Sequence, residues 1–428
     1  MSIRETRILL SDIEHPESPT LDFYLSGGGY KALEKALKEM TPKQVVDEVT
    51  KAKVRGRGGA GFEAGRKWQF LPKNNTKPVY LTCNADESEP GTFKDRHIME
   101  RRPHLLIEGC LITCYAIGAK TGYIYVRGEF PQAQASLSSA VEEARAKNLL
   151  GPDILGTGVS IDIWVHTGAG AYICGEETGM LSSIEGGRGH PKLKPPFPAV
   201  EGLFRCPTVV NNVETLSNVP FVIREGADAF LKLGTADTPG TRIFCVSGHV
   251  EKPGVFEYEC GVNLKDVIAA AGGVWKGRKL KAVIPGGASA HVLLPHEIDV
   301  ACDFGSLAKA GTIMGSCGVV VIDDTTCMVE TLQNVLEFFA HESCGQCTPC
   351  REGTGWARKI VTRIEAGKGT MADIDRLYEV ADNFEGMGGK TICALSDAAA
   401  WPTKSYVKKF RQEFEEHVRL GRCPMKGA

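Results

Sequence analysis

Short apolar runs and longer stretches with helical spacing follow one another along the first half of the chain. The short runs are typical of buried strands and lie at 79–84, 123–126 and 160–165. Apolar residues recur at helical spacing in the segments 29–40, 42–53, 103–118 and 132–147. Strands that alternate with helices in this way predict a layered α/β domain with a largely parallel sheet.

The pattern changes after 234–240, a run rich in glycine, threonine and proline that is typical of a linker. Strands are predicted at 241–250, 254–259, 281–284 and 318–322, with one helix at 264–271. A small mixed module of this kind is compatible with a β-grasp arrangement. From Met328 onward the strand patterns stop. Helices are predicted at 328–341, 351–366, 371–383 and 403–419.

These patterns predict three parts. Residues 1–236 form N-terminal helices and an α/β domain, 237–327 form the β-grasp module, and 328–428 form a helical bundle. A chain of 428 residues is long enough for two or three domains.

The composition is that of an ordinary soluble protein, with 43% hydrophobic and 24% charged residues. A net charge of −2 gives no basic surface for nucleic acid. The sequence has no apolar run long enough to span a membrane, and its first residues lack the apolar core of a signal peptide. We therefore expect a cytoplasmic protein that neither binds nucleic acid nor inserts into a membrane.

Four cysteines provide the most specific signal. Cys344, Cys347 and Cys350 are spaced three residues apart, and Cys393 lies in a later segment. Three clustered thiolates and one distant thiolate are typical of a [4Fe–4S] cluster. A structural zinc ion is the alternative, but zinc sites usually combine two paired cysteine knuckles. The spacing favours a single cluster that transfers electrons.

A glycine-rich loop occupies residues 55–62. Gly56, Gly58 and Gly61 satisfy the pattern G-x-G-x-x-G, yet a predicted helix precedes them where a dinucleotide-binding motif requires a strand. The exposed amides of the loop, together with flanking basic residues such as Arg57 and Lys67, still suit a phosphate or pyrophosphate.

Polar segments follow the predicted strands of the first domain. Residues 84–91 form an acidic turn, 168–178 combine glycines with paired glutamates, and 211–215 supply amide and hydroxyl groups. The stiff proline-rich loop 188–198 carries Lys194 and Phe197, which suit a phosphate or ribose contact and a stacking surface. Ligands of parallel α/β sheets bind at the carboxyl ends of strands, so these segments predict a nucleotide pocket.

On these residues the chain resembles the NADH-binding flavoprotein component of respiratory complex I. The matching segments occur in order at 55–62, 84–95, 168–178, 188–198, 207–215 and 342–353. The resemblance implies a Rossmann-like flavin-binding domain, an SLBB-like β-grasp domain and a helical cluster domain. It also implies FMN, NADH/NAD+ and one [4Fe–4S] cluster, whose ligands would be Cys344, Cys347, Cys350 and Cys393.

The resemblance further implies the residues of the binding site. The FMN set is Gly56, Gly58, Gly59, Lys67, Asn84, Asp86, Tyr172, Gly175, Glu176, Glu177, Asn211, Asn212 and Thr215. The NADH adenine would stack on Phe62, Phe70 or Phe197, with Lys194 and Glu89 nearby. The expected cofactor-binding set is completed by Arg57, Gly61, Glu87 and Leu395.

The implied activity is NADH dehydrogenation. A hydride passes to FMN, single electrons pass to the cluster, and partner subunits carry them toward quinone. No acid–base residue is obligatory, and the nicotinamide would lie near Glu89 and Glu177. Glu177 would favour NADH, because a carboxylate near the adenosine ribose repels a 2′-phosphate.

The chain departs from the family pattern at Glu63 and Arg66, beside the glycine loop. We do not expect this departure to abolish nucleotide binding.

The implied partners are a thioredoxin-like [2Fe–2S] subunit and a larger Fe–S subunit, in the peripheral arm of an inner-membrane complex. The alternative is the diaphorase subunit of an NAD-linked hydrogenase or formate dehydrogenase. Many of those carry extra [2Fe–2S] domains, for which this chain has no spare cysteine set. An Fe–S nucleic-acid enzyme and a zinc scaffold remain as alternatives from other classes.

Overall fold

Two sheets form within the described part of the chain, and the first is parallel throughout. The computed structural model describes residues 3–386 and 389–426. In this sheet four strands run in the order β3-β2-β1-β4. They are β1 (Tyr80–Ala85), β2 (Thr121–Val126), β3 (Asp162–Thr167) and β4 (Thr208–Asn212). The predicted α/β fold with a parallel sheet is confirmed.

Helices surround this sheet. They are α1 (Leu21–Ser26), α2 (Lys31–Glu39), α3 (Pro42–Lys51), α4 (Ala64–Trp68), α5 (Asp95–Arg101), α6 (Pro103–Ile117), α7 (Pro131–Ala146), α8 (Glu177–Ile184), α9 (Val213–Ser217), α10 (Val219–Glu225) and α11 (Ala227–Leu231). The α3 helix begins with a capping box in which Thr41 and Gln44 satisfy each other's backbone amides. Nearly every residue of α6 is buried, as its apolar sequence requires. No helix in the described ranges has the length and apolar character needed to cross a bilayer.

The second sheet is mixed and runs in the order β6-β5-β8-β7. Its strands are β5 (Thr241–Gly248), β6 (Gly254–Glu259), β7 (Leu280–Ile284) and β8 (Gly318–Asp323). The two central strands, β5 and β8, are parallel, whereas each edge strand is antiparallel to its neighbour. Two helices, α12 (Leu264–Ala270) and α13 (Phe304–Lys309), accompany this sheet. The arrangement agrees with the predicted β-grasp type.

After β8, the part of the chain that the structure describes contains helices and loops but no further strand. The helices are α14 (Met328–Glu342), α15 (Thr348–Glu365), α16 (Met371–Phe384), α17 (Leu395–Lys409) and α18 (Arg411–Leu420). The prediction of one helix over 403–419 is wrong. Phe410, with φ −119° and ψ 23°, leaves the helical region and separates α17 from α18. Neither glycine nor proline marks this break, so the sequence pattern does not reveal it.

The order of the first sheet fixes where a ligand can bind. From β1 the chain continues outward to β2 and β3, whereas β4 returns to the opposite side of β1. Adjacent strands whose connections diverge leave a crevice at their carboxyl ends. Asn84 and Asn212 are register partners at that end of β1 and β4. The polar segments that follow these two strands therefore meet at one place.

Two glycines of α15 provide a matched test of its packing. A Cβ at Gly353 would lie 2.5 Å from the Phe384 ring, whereas a Cβ at Gly355 would meet nothing within 4 Å. We expect Gly353→Ala to lower the free energy of unfolding by about 2 kcal/mol through overpacking. Gly355→Ala should raise it by about 0.5–1 kcal/mol, because alanine restricts the unfolded chain. Denaturant titration of both variants checks this, and equal effects would contradict the packing of α15 on α16.

Candidate cofactor site

A cleft of about 710 Å³ opens at the carboxyl ends of β1 and β4. Its volume is in the range of small-molecule and cofactor sites. The predicted site residues that line it are Arg57, Gly58, Gly59, Asn84, Asp86, Glu87, Glu89, Tyr172, Gly175, Glu176, Asn212, Cys393 and Leu395. The structure thus brings together the glycine loop, the acidic turn, the paired-glutamate segment and one cluster cysteine.

The glycine loop divides into residues that face the cleft and residues that shape the loop. Gly58 approaches Asn212 so closely that a Cβ would lie 3.2 Å from the Asn212 Cβ, and Gly59 adopts φ 130°. Gly56 instead donates its amide to the Phe62 carbonyl at 2.8 Å. Gly61, at φ 69°, packs on the Phe304 ring of the second-sheet region, where a Cβ would lie 2.4 Å from the ring. Helix α3 precedes the loop, so the departure from a dinucleotide-binding motif is confirmed.

The acidic turn is held in place by Asn84. Its side-chain amide donates to the Gly175 carbonyl at 2.8 Å, and its oxygen accepts from the Asp86 amide at 3.1 Å. Burial raises the pKa of Asp86 to about 7, although the Ser88 hydroxyl donates to it. The Asp86 carboxyl is therefore only about half ionised at neutral pH.

Glu87 holds the start of α5. Its carboxylate accepts the backbone amides of Lys94 at 2.8 Å and Asp95 at 2.9 Å. Burial raises the pKa of Glu87 to about 7, and the neighbouring Asp95 adds to the effect. The side chain thus lines the cleft while it orders the segment behind it.

Glu89 connects two walls of the cleft. Its carboxylate accepts the Tyr172 hydroxyl at 2.8 Å. From the second-sheet region, Ser289 donates its amide at 2.8 Å and its hydroxyl at 2.7 Å to the other oxygen. Burial raises the pKa of Glu89. This bridge fixes the width of the cleft between the two regions.

Two lysines and two glutamates form a charge-balanced group at the start of α8. Lys67 Nζ lies 2.8 Å from Glu177, and Lys194 Nζ lies 2.9 Å from Glu176 and 3.2 Å from Glu177. Glu176 also caps α8 by accepting the backbone amides of its first turn. Burial opposes ionisation of Glu177, but the two lysines outweigh it and hold its pKa below the ordinary value.

The other predicted residues lie outside the cleft lining. Asn211 accepts the Trp68 indole N–H at 2.9 Å, and Thr215 accepts the Arg57 amide at 2.8 Å, both behind the loop.

The predicted stacking residues also lie outside the lining. Phe62, Phe70 and Phe197 each expose about half of their surface. The Phe62 and Phe70 rings lie 5.8 Å apart, centroid to centroid. Glu63 and Arg66 pair with each other at 3.9 Å in the segment between them.

The cluster cysteines come together at the start of α15. The Ser343 hydroxyl lies 3.3 Å from the Cys350 sulfur. Burial raises the pKa of Cys350 to about 11, and the neighbouring Cys347 and Cys344 thiols add to this. Burial likewise raises the pKa of Cys393 to about 12, with contributions from Glu176, Cys350 and Cys344. Four thiols from two segments fit the donor set of an iron–sulfur cluster.

A buried charge group behind the cleft was not predicted. Glu214 is fully buried and lies 2.7 Å from Lys94, 3.9 Å from Arg242 and 4.0 Å from Arg57. Lys94 also pairs with Asp95 at 2.7 Å. Arg57 comes from the glycine loop, Lys94 precedes α5 and Arg242 belongs to β5. The group therefore joins the first-sheet and second-sheet regions.

Sequence reasoning also missed the contribution of the second-sheet region to the cleft. Its lining residues include Gly286, Ser289, Phe304, Thr312, Met314, Gly315 and Ser316. One signal was available, because Pro285 and the pair Gly286–Gly287 form a turn after β7, as polar turns follow β1 and β4. Trp401 of α17 closes the cleft from the helical region.

Three family models match the chain. They are the Nuo51 FMN-binding domain over 49–221, the SLBB domain over 242–309 and the NADH-ubiquinone oxidoreductase-F iron-sulfur binding region over 330–417. The chain is 52% identical over 418 residues to an F subunit of the NADH-quinone oxidoreductase of Rhizobium meliloti (strain 1021), covering 97% of this chain and 99% of that one. The chain belongs to the family of NADH-quinone oxidoreductase F subunits.

Other relatives agree. The NADH-quinone oxidoreductase F subunit of Streptomyces coelicolor is 48% identical over 411 residues, covering 96% of this chain and 91% of that one. The crystal structure of an NAD+-reducing [NiFe]-hydrogenase in the H2-reduced state matches with a TM-score of 0.84 and 35% identity, covering 97% of this chain and 67% of that one. The expectations of an oxidoreductase with an FMN-binding domain and a [4Fe–4S] region are confirmed. The hydrogenase alternative is the weaker of the two interpretations, because the hydrogenase is 35% identical to this chain and the Rhizobium meliloti F subunit is 52% identical.

Removal of the buried Glu214 carboxylate should destabilise the folded protein. We expect Glu214→Gln to lower the free energy of unfolding by about 3–5 kcal/mol, because buried cations lose their counter-charge. The control is Glu225→Gln, since Glu225 and Arg224 form an exposed pair worth less than about 1 kcal/mol. Denaturant titration compares the two. Equal costs would contradict a central role for Glu214.

The raised pKa of Asp86 has a consequence for stability. Its folded-state pKa of about 7 lies above the usual 3.8, so folding favours the neutral form and stability falls as pH rises between these values. Between pH 5 and 8 we expect the FMN-free protein to lose about 2 kcal/mol more than the Asp86→Asn variant does. Unfolding midpoints across that range measure the difference. Parallel pH profiles would show that Asp86 ionises normally.

Proposed function

We propose that the cleft binds FMN and the nicotinamide of NADH, and that this chain performs NADH oxidation in the manner of its family. The observation that carries the proposal is the extent of the cleft, whose lining runs from Gly58 and Gly59 past Asn84 to Cys393. When bound, FMN supplies the chemistry by accepting a hydride from NADH and releasing electrons one at a time.

The predicted FMN residues take two roles in this proposal. Those that line the cleft contact the cofactor: loop amides at Gly58 and Gly59 suit the phosphate, and Asn84, Asp86 and Asn212 suit hydroxyl groups. The other predicted FMN residues lie behind the cleft lining and support it. The residues that hold the loop and the strand ends are Gly56, Gly61, Lys67, Asn211 and Thr215.

NADH recognition is proposed to use the charge-balanced group and the exposed aromatic rings. Phe62, Phe70 or Phe197 provides a stacking surface for adenine, since each ring is half exposed. Glu89 and Glu177 flank the nicotinamide and ribose. The two glutamates of the charge-balanced group cancel the charges of its two lysines, so the group offers no net positive charge to a 2′-phosphate.

We further propose that Cys344, Cys347, Cys350 and Cys393 ligate the cluster. Cys393 borders the cleft, so a cluster held by these thiols would lie beside the proposed flavin site. The division at 236–237 and 327–328 is supported by the positions of the family matches, which lie on either side of each boundary.

As a subunit of a larger assembly, the chain is proposed to pass electrons to a thioredoxin-like [2Fe–2S] subunit and a larger Fe–S subunit. Its place would be the cytoplasmic peripheral arm of a complex I-type enzyme. A hydrogenase-type assembly is the second candidate, favoured by the structural likeness to the NAD+-reducing hydrogenase. Affinity purification from the native cell distinguishes them, because quinone-reducing and hydrogen-oxidising partners differ.

The first test is an anaerobic absorbance spectrum of the purified full-length protein before and after NADH, and then NADPH. We expect flavin bands over a broad Fe–S shoulder, and NADH should bleach the flavin bands. An Fe–S shoulder without flavin, even after FMN is added, would overturn the proposal.

The Glu177→Gln variant tests nucleotide selection. It leaves the two lysines with one carboxylate, so the group gains a positive charge that attracts a 2′-phosphate. We expect the NADPH/NADH ratio of kcat/KM to rise about tenfold, equivalent to roughly 1.4 kcal/mol. Glu201→Gln, at an exposed position of the same region, is the control and should leave the ratio unchanged. An unchanged NADPH/NADH ratio of kcat/KM in both variants would show that Glu177 does not select the nucleotide.

A further inference from the structure

Four buried potential metal ligands meet in the helical region, apart from the cluster cysteines. They are Cys327, Glu365, His417 and Cys423. Cys327 immediately precedes α14, Glu365 ends α15, His417 lies in α18 and Cys423 lies just beyond α18. One ligand atom from each residue lies within 4.8 Å of the other three. Four separate segments therefore direct their donor atoms at one point.

The distances match a site for a single ion. Cys327 Sγ lies 3.4 Å from His417 Nε2 and 3.4 Å from a Glu365 oxygen. His417 Nε2 lies 3.0 Å from the same Glu365 oxygen. Ligand atoms around one tetrahedral zinc ion lie about 3.3–3.8 Å from one another, given the usual zinc–ligand distances. Small movements of these side chains would complete the geometry.

The surrounding contacts orient the ligands. His417 Nδ1 lies 2.7 Å from the Glu413 carbonyl, so it donates there and leaves the Nε2 lone pair for the group. The second Glu365 oxygen accepts Lys426 Nζ at 3.1 Å. The Glu330 amide, in the first turn of α14, lies 3.4 Å from Cys327 Sγ. Histidine bonded to a backbone carbonyl and carboxylate bonded to a cation are the supports that protein metal sites use.

We propose that Cys327, Glu365, His417 and Cys423 bind a structural zinc ion, a second metal centre separate from the iron–sulfur cluster. Two thiolates, one imidazole and one carboxylate form a closed tetrahedral set of the kind zinc prefers. The two thiol protons pass to solvent as two zinc–sulfur bonds form. The remaining charge balances, because three anionic ligands and the divalent ion leave one negative charge, which faces Lys426.

The site has an entry path. A second cleft, of about 450 Å³, is lined by Gln333, Thr362, Glu365 and Cys423 among others. It therefore reaches two of the four ligands from the protein surface. A zinc ion can enter there without unfolding the helical region.

Zinc would tie together the ends of three helices and the segment that follows α18. Cys423 is buried although it lies beyond the last turn of α18, so a bond to the ion would anchor this segment to the bundle. The ion would fix the position of the last turn of α15, at the other end of this helix from Cys350. It takes no part in electron transfer, because zinc has no redox chemistry.

The test is metal analysis of the purified full-length protein with its cofactors, after exposure to zinc and removal of the excess by gel filtration. We expect about one zinc ion per chain in addition to the cluster iron. Cys423→Ser and His417→Gln should each reduce bound zinc at least about fivefold while leaving iron and flavin content unchanged. Cys302→Ser is the matched control, a buried thiol of the second-sheet region that should retain zinc.

Cobalt substitution gives a readout that does not depend on any variant. Cobalt in place of zinc should give the intense visible bands of a tetrahedral thiolate site in the wild-type protein. Three results would overturn the proposal: wild type without zinc or cobalt after loading, zinc retained in both ligand variants, or a Cys327–Cys423 disulfide seen by mass spectrometry of the wild type. Iron and flavin are measured separately, so failure here is distinguishable from failure of the proposed NADH chemistry.

Discussion

A single buried carboxylate holds together the parts of the molecule on which the cleft depends. Glu214 is fully enclosed and faces the side chains of Lys94, Arg242 and Arg57. A charge in such surroundings is tolerable only when its partners are fixed close by. The glycine loop, the start of α5 and strand β5 are thereby held in one arrangement. The shape of the cleft above them depends on this arrangement.

The walls of the cleft come from three regions of the chain, and one hydrophobic cluster joins residues of all three, among them Met180, Ile284 and Leu332. The Glu89 bridge to Tyr172 and Ser289 connects two of them, and Cys393 brings in the third. A site assembled in this way depends on the mutual position of all three regions. The second-sheet region carries none of the predicted site residues, yet the shape of the cleft depends on it.

Local patterns predicted most of the fold because the deciding interactions are local. Apolar runs located β1, β2 and β3, and the helical spacing over 42–53 located α3. The break at Phe410 could not be predicted, because no glycine or proline accompanies it. For the site, strand-end motifs identified the residues of the first-sheet region. The Glu214 group and the second-sheet lining depend on contacts between distant segments, which periodicity does not encode.

Helix α15 carries Cys350 in its first turn and Glu365 at its last residue. Its 18 residues span about 27 Å as a continuous helix. A rigid rod of that length transmits any tilt at one end to the other as a measurable displacement. The position of Cys350 therefore depends on how the far end of the helix is anchored, and substitutions near residue 365 can displace a predicted cluster ligand that they never touch.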